Sequence, residues 1–110
     1  DREDKELMEK AIRIIAENIS NNEFTPQELA SSLQISIRNL YRKFEQLNLS
    51  PPKNFIKEQR INFAAKLLVT SLTIEEIMYR SGFMNRSHFY KEFIKRMEMA
   101  PKDYRLHHKK

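Results

Sequence analysis

Cysteine is absent from this chain, so neither a disulfide framework nor a thiolate metal site is available to it. Tryptophan is also missing, and there are only one glycine and four prolines. So little turn punctuation argues for helices joined by few tight turns, and against a sheet protein. No apolar run approaches the ~18 residues of a membrane span, and no signal-peptide pattern opens the chain, so a soluble, intracellular fragment without membrane contact is expected. The first residue is Asp1 rather than Met, which fits a piece of something longer. No nucleophile–base pair, phosphate loop or separated carboxylate pair is visible, so no enzyme is expected. His107 and His108 form a pair beside two lysines at the end of the chain, a pattern of solvated tails, and neither a metal nor a cofactor is expected there.

What is present is charge, unevenly spread. The 110 residues carry a formal +5, but residues 1–30 hold eight acidic and four basic side chains, whereas residues 31–110 hold seven acidic and sixteen basic ones. An acidic lead-in before a basic block fits a polyanionic partner, with nucleic acid ahead of an anionic membrane surface. The 40% hydrophobic content is enough for the modest core of one domain.

Apolar periodicity and capping residues divide the chain into about seven helices, an all-α domain. Residues 4–19 set Leu7, Met8, Ala11, Ile12, Ile15 and Ile19 on one stripe, an amphipathic lead-in helix whose acidic face belongs away from phosphates. Thr25-Pro26-Gln27-Glu28 has the form of a capping box with proline at N1. It starts a helix to about Leu33, and Ser36 caps a second one to about Leu47 with Ile37, Leu40, Phe44 and Leu47 inward. Together, residues 25–47 read as a helix-turn-helix with a basic second helix. Residues 51–70 form a connecting helix, capped by Ser50, with Ile56, Phe63, Ala64, Leu67 and Leu68 near a 3.6 period. About 20 residues at 1.5 Å each make a rod of roughly 30 Å, close to the ~34 Å of one duplex turn.

Beyond it the grammar returns. Thr73 caps a helix that turns inward Ile74, Ile77 and Met78, Gly82 supplies a positive φ in the turn, and Asn85 caps a helix to about Met97. Residues 73–97 are thus a second helix-turn-helix, and Pro101 begins a last helix at 101–107 anchored by Tyr104. Ser36–Phe44 and Asn85–Phe93 align without a gap, pairing Leu40 with Phe89 and Phe44 with Phe93, and Pro52 and Pro101 follow at equal distance. The turn is one residue longer in the second copy. Caps, core positions and prolines recurring together mark an internal duplication.

These residues resemble the DNA-binding domain of the AraC family of bacterial transcription regulators, two helix-turn-helix units joined by a long helix. The resemblance covers roughly residues 24–105. It is carried by Leu29-Ala30, Ser36, Leu40-Tyr41-Arg42-Lys43-Phe44, Arg60, Ala64, Leu67-Leu68, Gly82-Phe83, Ser87-His88-Phe89, Phe93, Pro101 and Tyr104-Arg105. The lead-in helix and Leu40–Lys43 are most similar to C-terminal output domains of hybrid two-component regulators, which carry sensor, kinase and receiver modules upstream. Two departures stand out. The glycine that usually follows each recognition helix is replaced by Leu49 and Glu98, where a left-handed backbone would cost ~1 kcal/mol or more. The serine before each proline is replaced by Pro51 and Ala100.

The resemblance implies duplex-DNA binding, with base contacts from Arg38, Tyr41 and Arg42 in the first unit and Ser87, His88 and Lys91 in the second. Arg38 and Arg42 lie one helical turn apart and suit bidentate contact to guanine. Ser36 and Asn85 cap helix N-termini that attract phosphate, and Lys43, Arg86, Lys95 and Arg96 are the expected phosphate partners. Arg60 falls in line with apolar residues of the connecting helix, and a charge near a core needs a partner; an ion pair with Glu76 is expected. The resemblance also implies a cytoplasmic, nucleoid-associated bacterial regulator, with membrane anchoring and dimerisation left to the full-length protein and RNA polymerase as a further partner. The alternative is a helical docking module whose basic faces meet RNA polymerase or an upstream regulatory domain. Structured RNA is disfavoured, because its deep major groove does not admit a helix.

Overall fold

Five helix starts carry a side chain that accepts a backbone N–H from the first turn: Asp1, Thr25, Ser36, Thr73 and Asn85. Two more have proline buried at N1, Pro52 and Pro101. These seven starts open the seven helices of the computed structural model, which describes residues 1–109: α1 (Arg2–Glu17), α2 (Pro26–Ser32), α3 (Ile37–Gln46), α4 (Pro52–Leu67), α5 (Ile74–Arg80), α6 (Arg86–Met97) and α7 (Pro101–His108). Among the described residues there is no strand. The architecture is all-α and contains two helix-turn-helix pairs, α2–α3 and α5–α6.

The chain divides into two compact units. The first is Asp1–Asn18 with Glu23–Ile56, and the second is Ile19–Asn22 with the chain from Lys57 onward. Each has the same order of parts: a long helix, a helix-turn-helix, and a helix opened by a buried proline. In the first unit Ala11, Ile14 and Ile15 of α1 are buried, as are Leu29, Leu40 and Phe44, and the Phe55 ring meets Phe44 edge-on at 5.3 Å. Ile14 takes the inward place expected for Ile12, which is 46% exposed. In the second unit Ile61, Ala64, Ala65 and Leu68 of α4 pack with Ile77, Met78, Phe83, Phe89 and Phe93. Single-stripe periodicity missed Phe55, Ile61 and Ala65 because the two ends of α4 serve two different cores.

Helix α4 is shorter than expected, with 16 residues. Pro51, not Ser50, occupies its N-cap position, since the Phe55 N–H donates to the Pro51 carbonyl at 2.8 Å. Its far end is closed by Thr70, whose hydroxyl donates to the Leu67 carbonyl and accepts the Leu72 N–H. Arg105 of α7 adds to this closure by donating to the Leu68 carbonyl at 2.9 Å and to the Leu72 carbonyl.

Left-handed residues end the helices. Gln34, Asn48 and Gly82 each sit at positive φ while the following N–H reaches back five residues in the 6→1 sense, Ile35 to Ala30, Leu49 to Phe44 and Phe83 to Met78. This is the Schellman closure. The strained position expected at Leu49 is therefore taken by Asn48, one residue earlier, and asparagine tolerates that backbone. Glu98 does adopt it, at φ 62. Glu98→Gly should accordingly stabilise the protein by about 1 kcal/mol, read as an upward shift of the urea midpoint.

Candidate nucleic-acid interface

Both second helices of the paired units are built alike. Ser36 Oγ accepts the Asn39 N–H at 3.0 Å, and Asn85 Oδ1 accepts the His88 N–H at 2.8 Å. Leu40 and Phe44 of α3, and Phe89 and Phe93 of α6, are fully buried. With one stripe fixed inward, the opposite one must face solvent. Arg38, Asn39, Tyr41 and Arg42 are exposed on α3, as are Arg86, Ser87, His88, Lys91, Lys95 and Arg96 on α6. The gap-free overlay puts Arg42 and Lys91 at one position, and Asn39 at that of His88. Asn39 was not among the expected base readers; the overlay is the signal that could have found it, and its amide suits adenine.

The exposed cations differ in their commitments. Arg38, Arg42, Lys91 and Lys95 make no ion pair or side-chain hydrogen bond among the described residues. Lys43 is engaged: its Nζ lies 2.8 Å from Asp4 Oδ1 of α1. That hydrogen bond holds the Asp4 carboxyl below the usual carboxylate range, so the pair is complete at neutral pH and lost only as pH falls through the lowered value. Arg96 donates to Asn62 Oδ1 at 2.7 Å and lies 3.9 Å from Glu58. Arg86 stacks over the Tyr90 ring at 4.8 Å and donates to its hydroxyl. His88 meets the Phe83 ring edge-on and has its Nε2 3.9 Å from Glu92.

The expected Arg60–Glu76 ion pair is not formed. Glu76 pairs instead with Arg80 one turn along α5, at 3.5 Å. Arg60 donates from Nη2 to the Asn21 carbonyl at 2.8 Å, and its Nε is buried with no hydrogen-bond partner. Segment Ile19–Asn22 supplies a backbone carbonyl where a carboxylate was expected, and burial alone lowers the pKa of the guanidinium. Ser20 Oγ fixes the same segment by donating to the Arg80 carbonyl at 2.7 Å.

Two units, each presenting a side-chain-capped and cation-bearing second helix of a helix-turn-helix, define a class: DNA-binding helix-turn-helix domains. The helix-turn-helix domain family matches residues 29–107, and the chain belongs to it as a DNA-binding transcription-regulator domain of the AraC type. It is 32% identical over 102 residues to histidine kinase P4 of Formosa agariphila, covering 92% of this chain and 7% of that protein. The C-terminal domain of AraT, a response regulator from Geobacillus stearothermophilus, superposes with a TM-score of 0.83 and 28% identity over 94% of this chain and 87% of the other. The DNA-binding domain of AdpA, solved in complex with a target DNA, gives 0.80 and 25% over 92% and 90%. The chain spans between 7% and 37% of the length of curated relatives. Among the described residues no helix is long and apolar enough to cross a membrane, and no group of three or more His, Asp or Glu is placed to hold a metal ion.

Proposed function

We propose that this chain reads duplex DNA for a bacterial transcription regulator, with α3 and α6 each entering a major-groove segment. The observation that carries the proposal is the pair Arg42 and Lys91, unpartnered cations at the same exposed position of two side-chain-capped helices. Arg38, Tyr41 and Arg42 would contact bases from the first unit, and Ser87, His88 and Lys91 from the second. Ser36 and Asn85 would bring the positive N-terminal ends of α3 and α6 to phosphates. Lys95 and Arg86 would add charge there, while Lys43 and Arg96 are already held within their own units.

The histidine kinase and response-regulator relatives support a place as the output part of a two-component protein with sensor, kinase and receiver modules upstream. Contact with RNA polymerase, dimerisation through other modules and a cytoplasmic location belong to the same proposal.

Selection of bound duplexes from a random pool, followed by anisotropy titration of the enriched site at several salt concentrations, tests it. Arg42→Ala and Lys91→Ala should each weaken that site by about 1–3 kcal/mol and relax discrimination at different positions within it. Affinity should fall steeply as salt rises. Absence of both enrichment and salt dependence, with charge reversal at residues 42 and 91 tolerated, would move the assignment to a protein-docking module.

A further inference from the structure

In both units the recognition helix bears, at the same position, a charged side chain that is ion-paired back to the long helix of its own unit. In the first it is Lys43, 2.8 Å from Asp4 of α1. In the second it is Glu92, 3.7 Å from Lys57 of α4. Residues 43 and 92 occupy the same place in the overlay of the two copies, seven residues beyond Ser36 and Asn85. The sign of the charge is inverted between the copies and the connection is kept. None of the four side chains is freely solvated; relative exposure runs from 13% for Glu92 to 34% for Lys43. On α6 the connection is extended one turn further, where Arg96 bonds Asn62 and approaches Glu58.

The buried stripe alone does not fix how a recognition helix is turned about its axis. Contacts of Leu40 and Phe44, or of Phe89 and Phe93, are apolar and non-directional, so they tolerate some roll. One residue step is about 100° of rotation, and even a fraction of that moves a side-chain tip by ångströms at a base edge. An ion pair on the flank of the helix opposes roll. It also sits immediately beside Arg42 and Lys91, and one turn after Asn39 and His88. In the second unit Glu92 lies between Lys57 and His88, 3.7 Å from one and 3.9 Å from the other, so the same carboxylate stands beside an imidazole of the reading face.

We infer that Asp4 and Lys57 are positioning residues for DNA readout, fixing the roll of α3 and α6 through Lys43 and Glu92. The inference rests on the DNA-reading function proposed above. Neither residue touches DNA in this scheme; each acts through the recognition helix that it holds.

Charge swapping tests it. Asp4→Lys, Lys43→Asp and the swapped double variant are compared with the wild type, as are Lys57→Glu, Glu92→Lys and their double. Two quantities are read at matched salt: the thermal midpoint, and the ratio of affinities for the enriched duplex and a scrambled duplex of equal composition. Each single variant should lower that ratio roughly fivefold, and each swapped double should return it to within about twofold of the wild type. Single variants that lower the midpoint but leave the ratio unchanged would reduce the pairs to structural contacts and overturn the inference. So would doubles that fail to rescue. In a companion variant, Asp4→Asn, a gain in affinity for both duplexes with a steeper salt slope would mean that Lys43 is a phosphate ligand held in check, again overturning it. A wild type that does not discriminate between the duplexes overturns the DNA reading and this inference with it, whereas discrimination without rescue overturns this inference alone.

Discussion

Phe93→Ala is expected to lower the unfolding free energy by about 4 kcal/mol, the cost of truncating a fully buried aromatic ring. Phe93 has no exposed surface and stands between two other rings, Phe89 at 5.9 Å and Tyr104 edge-on at 5.6 Å. Its loss removes contacts from two helices at once: Phe89 is the other inward ring of α6, and Tyr104 joins α7 to the same core. A domain of this size has roughly 5–15 kcal/mol in total, so the substitution removes a large share of what holds the second unit. Urea denaturation followed by circular dichroism would read it as a lowered midpoint. A change below about 1 kcal/mol would mean that the aromatic cluster repacks to fill the space.

Gly82→Ala should cost about 3 kcal/mol although it adds a single methyl group. Two effects combine. The φ of +86° lies beyond the narrow left-handed region that side chains tolerate. A Cβ there would also stand 2.4 Å from the Ile19 carbonyl oxygen and 2.8 Å from Arg60 Nε. The first neighbour is backbone, held in place by the Ser20 and Asn21 contacts, and the second is a buried guanidinium. Neither can withdraw without breaking a hydrogen bond. Gln34, at the equivalent turn of the first unit, has φ 60 and already carries a side chain; Gln34→Gly is the control and should leave stability within about 1 kcal/mol of the wild type. If Gly82→Ala behaved like that control, segment Ile19–Asn22 would have to be free to move aside.

How much of this was legible in the chain depended on the range of each interaction. Thr25, Ser36, Thr73 and Asn85 were readable as caps because each acts on an N–H three residues away, a distance that exists in the sequence itself. The inward pairs Leu40 with Phe44 and Phe89 with Phe93 were readable because i and i+4 share a helix face whatever the helix later packs against. The placing of Ile14 over Ile12 was not, since a stripe of apolar residues on α1 can be turned by one position to suit its neighbours. Nor was the shift of the left-handed residue from Leu49 to Asn48, because the helix end is decided by which closure also satisfies the carbonyls behind it.

The amino-acid sequence by itself determined the all-α class, the duplicated helix-turn-helix grammar and the two cation-bearing helix faces. All of these follow from local capping and periodicity. Only the tertiary structure decided which charges are committed. Lys43 meets Asp4 across 39 residues of chain, Arg96 meets Asn62 across 34, and Arg60 meets a backbone carbonyl in place of Glu76. An ion pair requires its partners within about 4 Å, and which of many opposite charges comes that close is settled by how helices pack, which no local pattern encodes.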